Sequence, residues 1–393
     1  MWTVAVLLAL SAVARAAKAQ EIAAVPTLEL YGGYDYIRLN VKANVSVQPP
    51  SATYNLAMTW RDWEKETREG PLALVHAAIL SSNAFNTQPW LFKVNSSRIE
   101  VHADTKRNLG AFDPYLREMS FRLGCALENL CLTAPSHELT ASVSLLPAKL
   151  EPIPDQPKPE LAAAVDLRVG PRISGELFDA IPRRHTNREP FDVKKEVSTE
   201  FVNSLANLAR DDEDVRIFVF TQETDRKQIV DVIWDASKKL VSDPAVRAGM
   251  QAWSRTTMQQ VQDDRDGTYV GPPVGKRGSP PLSYPDLMMT GRLFGIIAVH
   301  DRYDRPQTIR AGRIWQRAHL LATARGLAAR PANGAVEFID QERKLKMQPE
   351  TLARLAKIAG GASWQPTFMF YMGYATVPAT ASARRSVQDV LLS

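Results

Sequence analysis

The first part of the chain alternates between helical and extended patterns of apolar residues. Apolar residues at helical spacing predict helices over Leu72–Leu80 and Tyr115–Leu132. Shorter runs at Trp90–Val94 and Ile99–Ala103 predict strands, and the sequence Asn-Ser-Ser between them predicts a hairpin. A dense polar segment, Ser81–Pro89, separates the first helix from the first strand and predicts a loop.

The rest of the chain continues this pattern and partly repeats it. Further helices are predicted over Ile173–Ile181, Phe201–Ala209, Gln228–Leu240 and Gln307–Ala324, and further strands over Ser142–Leu146, Val215–Phe220, Gly295–Val299 and Thr367–Ala375. The segment Arg117–Ala134 resembles Arg310–Gly326, and each follows a strand and a turn that contains Asp and Arg. The sequence therefore predicts a duplicated unit.

Changes in composition divide the chain into successive segments. Residues 20–59 have no steady period and predict an irregular arm, and residues 60–150 form a first half. Residues 151–165 begin with several prolines and predict a linker, and residues 166–393 form a second half. Within the second half, the Gly- and Pro-rich segment Gly267–Pro285 predicts a long loop, whose length is typical of a lid or cover.

Residues 1–19 contain an apolar run, Thr3–Ala14, followed by Ala14-Arg15-Ala16, which resembles a signal-peptide cleavage site. The run is shorter than the ~20 apolar residues of a transmembrane helix. No basic side chain and no Arg-Arg pair precede the run, which argues against a signal of the usual form. We expect an exported protein, periplasmic or membrane-associated, and the alternative is a cytoplasmic one.

Charge and cysteine usage exclude several classes of function. Lys and Arg number 48 against 43 Asp and Glu, a net charge of +5, and no basic block carries interleaved aromatic residues. We therefore expect no nucleic-acid partner. Cys125 and Cys131 lie on different faces of one predicted helix and are interpreted as core residues without a mutual disulfide. None of the six histidines has the spacing of a zinc site, so no metal is expected.

Two polar segments carry the candidate chemistry. The loop and the first strand residue, Ser81–Trp90, offer neutral amides and hydroxyls that match the N–H and C=O edge of a heterocycle such as a flavin pyrimidine. The alternative is a polar turn that caps the following strand. Arg184, Thr186 and Arg188 form a basic segment that could bind a phosphate, or a solvated basic loop. The pair Arg384-Arg385 is open to the same two interpretations, as a phosphate contact or as an ordinary tail.

Taken together and in order, these segments resemble the nitroreductase superfamily. The string Ala78–Trp90 (AILSSNAFNTQPW) is similar to the flavin-binding loop of that superfamily, and Arg183–Phe191 (RRHTNREPF) is similar to the basic FMN-phosphate loop of the Acg-type FMN-binding oxidoreductases. The remaining matches are Ala103-Asp104…Arg107, Asp113-Pro114…Arg117-Glu118, Leu123–Leu130, Gly312…Gln316-Arg317, Ala324–Leu327, Val336-Glu337 and Gly373–Ala375…Arg384–Val387. The resemblance covers roughly residues 60 to 393.

The resemblance implies an α+β fold with a mainly antiparallel sheet flanked by helices. In the Acg-type branch two related halves are fused into a pseudo-dimer within one chain, and further association remains open. The resemblance implies one FMN, with the loop in one half and the arginines in the other. The residues it assigns to FMN are Ser82, Asn83, Asn86, Gln88, Arg184, Thr186, Arg188, Arg384 and Arg385. Two positions depart from the family pattern, since Ser82 replaces the usual Pro and Phe85 replaces the usual His, which puts an apolar ring near the expected flavin.

Three functions follow as hypotheses. The first is an FMN-dependent oxidoreductase that passes electrons from NAD(P)H to a nitroaromatic, a quinone or a similar small acceptor, with no catalytic acid or base supplied by the protein. The second is a non-catalytic flavoprotein that stores or sequesters FMN, with Gly267–Pro285 as a cover. The third is an exported structural or binding protein without a cofactor. Bleaching of bound flavin by NADH or NADPH separates the first two, and the colour of the purified protein separates both from the third.

Overall fold

Two four-stranded antiparallel sheets organise the chain. The structure is a computed structural model that describes residues 29–31, 36–38, 69–270 and 282–393. The expected apolar segment at residues 1–19 and most of the expected cover, residues 271–281, lie outside the described residues. The irregular arm expected over 20–59 is corrected in one respect, because Glu29–Tyr31 (β1) and Tyr36–Arg38 (β2) pair as antiparallel strands. Aromatic and branched residues in both segments favour this pairing.

The first sheet has the strand order β3-β4-β6-β5. Its strands are Trp90–Val94 (β3), Arg98–Asp104 (β4), Leu139–Leu145 (β5) and Pro159–Val169 (β6). Strand β6 lies in the segment for which the sequence predicted the linker and the start of the second half, so the first sheet extends to residue 169. Proline is tolerated as the first residue of a strand, and the apolar residues after it fill a central position between β4 and β5.

The second sheet has the order β11-β12-β10-β7. Its strands are Val215–Phe220 (β7), Leu293–Val299 (β10), Ala328–Pro331 (β11) and Gln365–Gly373 (β12). A short parallel pair, Ser254–Arg255 (β8) with Thr268–Tyr269 (β9), lies outside this sheet. Read from the other edge, the order β7-β10-β12-β11 matches β3-β4-β6-β5 strand for strand. The predicted duplication is therefore visible in the topology, with an α+β fold in each half.

Helices flank both sheets. They are Pro71–Ala78 (α1), Arg117–Thr133 (α2), Glu176–Ala180 (α3), Thr199–Ala206 (α4), Glu223–Ser242 (α5), Pro244–Gln251 (α6), Met258–Asp264 (α7), Tyr284–Met289 (α8), Arg305–Ala324 (α9), Gly334–Lys344 (α10) and Glu350–Ile358 (α11). Helix α2 follows β4 in the first half and α9 follows β10 in the second, as the internal repeat predicts. Among the described residues, no helix is long and apolar enough to span a bilayer.

The two halves share their cores through α2 and α9. Phe121 and Cys125 of α2 pack into the core of the second half, and Ile309 and Leu320 of α9 pack into the core of the first. Both cysteines are free, as expected. Because each half buries side chains of the other, apolar surface that either half would expose alone is removed from water only in the fused chain. This exchange fixes how the loop of one half faces the helices of the other.

Candidate functional site

The segment Ser81–Trp90, here called the amide loop, has an unusual backbone. Phe85, Asn86 and Gln88 adopt φ values of 48°, 54° and 48°, in the left-handed region. Such conformations are costly for residues other than glycine and cluster at ligand-binding sites. Asn83 stabilises the loop from within, since its Oδ1 accepts a hydrogen bond of 2.9 Å from the backbone N–H of Gln88. The loop is thus held in one shape by its own side chains.

The C-terminal segment 382–386, here called the tail, contacts the amide loop from one side. The Asn86 Nδ2 donates to the carbonyl oxygen of Ala383 at 3.0 Å, and the Asn86 Oδ1 accepts from Arg384 Nη1 at 2.9 Å. The Gln88 Oε1 accepts from the backbone N–H of Arg385 at 2.8 Å. Residues almost three hundred positions apart in sequence are therefore brought together.

Residues 265–267, where the expected cover begins, contact the amide loop from the other side. The Gln88 Nε2 donates to the carbonyl oxygen of Arg265 at 2.8 Å, and the backbone N–H of Gly267 donates to the Asn86 carbonyl at 3.2 Å. Arg107 adds to these contacts, because it donates to the carbonyl oxygen of Thr87 and forms an ion pair with Asp266. The amide loop and the polar groups that contact it are here called the polar layer. The side-chain amide of Gln88 is thus bonded on both sides, and Asn86 is bonded to the tail by its side chain and to Gly267 by its backbone carbonyl.

Ser82 ties the amide loop to helix α9 of the second half. Its backbone N–H donates to Gln316 Oε1 at 3.2 Å, and its Oγ accepts from Trp315 Nε1 at 2.9 Å. Arg122 Nη1 of helix α2 also donates to this Oγ, at 3.3 Å. Serine in place of the family's usual proline therefore supplies two hydrogen-bonding atoms that proline lacks.

Phe85, the second departure, points away from the polar layer. Its ring is fully buried in the core of the second half and packs edge-on against Phe112, with centroids 5.2 Å apart. Phe85 has a left-handed backbone conformation, and whether its ring lies near a bound flavin stays a prediction.

Two arginines from the second half lie buried beside the amide loop. Arg184 Nη2 donates to the carbonyl oxygen of Leu80 at 3.1 Å, and Arg384 Nε donates to that of Ile79 at 2.8 Å. Burial lowers the pKa of Arg184 to about 10, and burial followed by repulsion from Arg184 lowers the pKa of Arg384 to about 9. Within the described part of the chain, no acidic side chain forms an ion pair with Arg184.

Two histidines adjoin these arginines. His319 of helix α9 is fully buried, and its Nδ1 lies 3.4 Å from Arg184 Nη1. Burial, together with the charge of Arg184, holds the pKa of His319 well below its usual value. Burial and the same arginine lower the pKa of His185 to about 4. At neutral pH both rings are uncharged, so the cluster carries the charge of its arginines only.

The other residues of the predicted phosphate loop lie beside strand β11. Thr186 forms a backbone bridge with Ala329, and the carbonyl oxygen of Arg188 accepts a hydrogen bond from Arg330 Nη1 at 2.6 Å. The structure thus brings Ser82, Asn83, Asn86, Gln88, Arg184, Arg384 and Arg385 into one layer, and it places Thr186 and Arg188 at the neighbouring strand.

Several buried polar atoms of this layer have no hydrogen-bond partner among the described residues. They are Ser81 Oγ, Trp90 Nε1, Arg184 Nε and Arg385 Nη1. A buried donor without an acceptor costs about 1–3 kcal/mol, and more when the group is charged. A polar, anionic ligand bound at the amide loop and its arginines would supply partners for these four atoms. The residues present therefore fit a flavin with a phosphate group.

A buried ionic cluster supports Arg122 from behind. Arg122 Nε donates to Glu118 Oε1 at 2.7 Å, and Arg117 donates to Glu337 at 3.0 Å and to Asp340 at 2.7 Å. Burial raises the pKa of Glu118 to about 8 and that of Glu337 well above its usual value. The cluster links helix α2 to α10 and, through Arg122, reaches Ser82 of the amide loop.

Sequence reasoning did not assign Arg122, Trp315, Gln316 or His319 to the site. Trp315 and His319 are one helical turn apart, and with Gln316 they are fully buried on α9. A run of aromatic and polar residues on an otherwise apolar helix face was the available signal, but the same pattern occurs in ordinary cores. In the described residues, no group of three or more His, Cys, Asp or Glu side chains could hold a metal ion.

Comparison with known proteins gives relatives of one kind. Two proteins of Mycobacterium tuberculosis strains, each named "Putative NAD(P)H nitroreductase", are 25% identical to this chain over 340 residues, which cover 80% of this chain and 88% of theirs. These relatives confirm the resemblance to nitroreductases that the motifs indicate. No family model matches the chain.

Comparison with solved structures also gave matches to part of this chain. One is a nitroreductase with bound FMN from Bacteroides fragilis, with 14% identity and a TM-score of 0.34, covering 54% of this chain and 95% of that one. Another is a nitroreductase with bound FMN from Desulfitobacterium hafniense, with 12% identity and a TM-score of 0.36, covering 56% of this chain and 99% of that one.

Proposed function

We propose that the chain is an FMN-binding oxidoreductase of the nitroreductase type, which passes electrons from NAD(P)H to a nitroaromatic, a quinone or a similar acceptor. One observation carries the proposal. The buried guanidinium of Arg184, which no acidic side chain of the described residues neutralises, lies beside a loop of strained backbone and neutral amides. A buried cation without a counter-ion is expensive unless an anion binds there.

The residues divide into two roles toward FMN. Asn83, Asn86 and Gln88 are the groups for the ring and the ribityl chain, because amides donate and accept hydrogen bonds at neutral sites. Arg184 and Arg384 are the groups for the phosphate, because guanidinium groups bind phosphate oxygens through charge-assisted hydrogen bonds. The predicted contributions of Ser82, Thr186, Arg188 and Arg385 remain part of this proposal.

The protein binds and orients, and the bound flavin would supply the electron-transfer chemistry. The ion pair of Arg107 with Asp266 and the hydrogen bonds of the tail enclose the amide loop, which limits the access of water. We assign no acid or base among the side chains.

A single FMN per chain is part of the proposal. Strand β7 occupies the place in the second sheet that β3 occupies in the first, and an acidic segment, Asp211–Asp214, precedes it instead of an amide loop. Asp212 and Asp214 of this segment form ion pairs with Arg310 of helix α9. Carboxylates at this position repel a phosphate and already neutralise the nearby arginine, so the second half lacks a matching site.

A visible absorption spectrum of the purified protein tests the proposal. We expect a flavin spectrum and a flavin-to-protein ratio near one after saturation with FMN. A protein that stays colourless after incubation with FMN would favour the third hypothesis, a protein without a cofactor. A ratio near two would contradict a single FMN site per chain.

A second function, storage of FMN without turnover, is supported by a separate observation. Asn86 and Gln88 are bonded both to the tail and to residues 265–267, Asn86 through its backbone carbonyl in the second case, so the amide loop is covered on two sides. Addition of NADH or NADPH under anaerobic conditions decides between the two functions. Rapid loss of the flavin absorbance supports the oxidoreductase, and an unchanged spectrum supports storage.

A further inference from the structure

His319 contacts Arg184 in a geometry that determines its protonation. Every nitrogen of a guanidinium carries hydrogen atoms and none accepts, so the His319 Nδ1, 3.4 Å from Arg184 Nη1, must be the acceptor. The His319 Nε2 lies 3.2 Å from the carbonyl oxygen of His185, which only accepts, so Nε2 carries the proton. Both contacts require the neutral ring with hydrogen on Nε2.

The surroundings of His319 keep the ring in that state. It lies on the buried face of helix α9, and its ring packs against Trp315 with centroids 4.9 Å apart. Arg184, Arg122 and His185 are the titratable groups that act on it electrostatically, and each opposes its protonation. The hydrogen bond to the His185 carbonyl favours protonation, but burial and the charge of Arg184 outweigh it and keep the pKa of His319 low.

The choice of a neutral acceptor has a consequence for Arg184. A buried arginine is usually paired with an acidic side chain, as Arg117 is with Asp340 in the neighbouring cluster. A carboxylate orients the guanidinium but also cancels its charge, whereas an imidazole nitrogen orients it and leaves the charge available to a ligand. The Leu80 carbonyl, the other acceptor described above, is also neutral.

We propose that His319 is a positioning residue for anion binding, because it holds Arg184 toward a phosphate group while leaving the arginine charge uncompensated. The proposal rests on the proposed function, in which Arg184 binds the FMN phosphate. His319 lies outside both the amide loop and the arginine segment. The proposal gives it a role in the preference of the site for FMN over flavin that lacks a phosphate.

Two nearly isosteric variants separate charge from shape. The Oδ1 of asparagine or aspartate can occupy the place of the histidine Nδ1. The two side chains have the same shape and differ in charge and in the second terminal atom, which donates in asparagine and accepts in aspartate. The experiment measures Kd for FMN and for riboflavin, which lacks the phosphate, with the wild type, His319→Asn and His319→Asp, by quenching of flavin fluorescence. The ratio of the two Kd values isolates the contribution of the phosphate.

We expect His319→Asn to keep the preference for FMN within about threefold, and His319→Asp to weaken FMN binding by about tenfold or more with little change for riboflavin. An unchanged ratio in His319→Asp overturns the proposal. A loss of the preference in His319→Asn also overturns it, and this outcome is measurable even if the aspartate variant does not fold.

The same measurements, with Arg184→Met added, distinguish a failure of this proposal from a failure of the proposed function. If the wild type binds FMN no more tightly than riboflavin, the assignment of the phosphate to Arg184 fails and the role of His319 fails with it. If Arg184→Met loses the preference for FMN while His319→Asp behaves as the wild type, only the role of His319 is wrong.

Discussion

Gly124 of helix α2 and Gly312 of helix α9 bring the two helices into backbone contact. A Cβ atom on Gly124 would lie 3.0 Å from the Cα of Gly312 and would overlap the carbonyl oxygen of Ile309. A Cβ atom on Gly312 would in turn overlap the carbonyl oxygen of Phe121. Tyr115 and Tyr303, which have the same separation along the chain as the two glycines, also contact each other. Both contacts join helix α2, or the turn before it, to helix α9, or the turn before it.

Replacement of Gly312 by Ala should separate these helices. The new methyl group meets backbone rather than a flexible side chain, so the overlap is relieved only by movement of a whole helix. Overpacking of this kind costs about 1–3 kcal/mol or more. Urea unfolding monitored by circular dichroism should show a loss of this size. The control is Gly175→Ala, where the structure has open space, and equal stability of the two variants would contradict the role of the crossing.

Replacement of Arg184 by Met should weaken FMN binding specifically. Loss of a charge-assisted hydrogen bond of about 1.5–3 kcal/mol corresponds to about a tenfold to hundredfold increase in Kd. Riboflavin, which lacks the phosphate, should bind to the variant as to the wild type. Arg183→Met is the matched control because Arg183 is the exposed neighbour in sequence. A similar Kd for FMN in both variants would remove Arg184 from the site.

Replacement of Ser82 by Ala should lower stability through groups on the other half of the chain. The variant leaves Trp315 Nε1 without its acceptor and removes one acceptor of Arg122 Nη1. An unsatisfied buried donor costs about 1–3 kcal/mol, which urea unfolding resolves. Ser204→Ala, at an exposed position, should change stability by less than about 0.5 kcal/mol. If both variants unfold at the same urea concentration, the hydrogen bonds of Ser82 do not stabilise the contact between the amide loop and helix α9.

Glu118 should make the free energy of unfolding fall as pH rises. Its pKa is raised by burial from an ordinary value of 4.5 to about 8, so the folded state holds a proton that the unfolded state releases. The contribution of this proton to the free energy of unfolding is fully present below pH 4.5. It is lost as pH rises through about 8. The difference in unfolding free energy between the wild type and Glu118→Gln should therefore decrease by roughly 1 kcal/mol per pH unit over this window.

Urea unfolding of both proteins at several pH values between 5 and 8 measures this difference. The exposed Glu213 provides the control, since Glu213→Gln should run parallel to the wild type. Parallel curves for Glu118→Gln would mean that Glu118 is ionised in the folded protein throughout the range.

The order of elements was predictable where the periodicity is strong. The strands at Trp90–Val94 and Val215–Phe220 were predicted with the bounds the structure gives, and the helix that became α9 with nearly the same bounds. Strand β6 was missed because prolines before it resemble a linker, and only its pairing with β4 and β5 makes it a strand. Pairing partners far apart in the chain leave no mark in a local pattern.

By itself the sequence determined the amide loop, the arginine segment and the internal repeat, because each depends on residues close together in the chain. It did not determine which groups meet. The contacts of Asn86 with Arg384 and of Ser82 with Trp315 join distant segments, which meet only in the folded chain. The contact of Arg184 with a neutral His319 also joins segments that are far apart in the chain. Burial and charge at that point are properties of the packed structure, so only the tertiary structure decided where an uncompensated positive charge would lie.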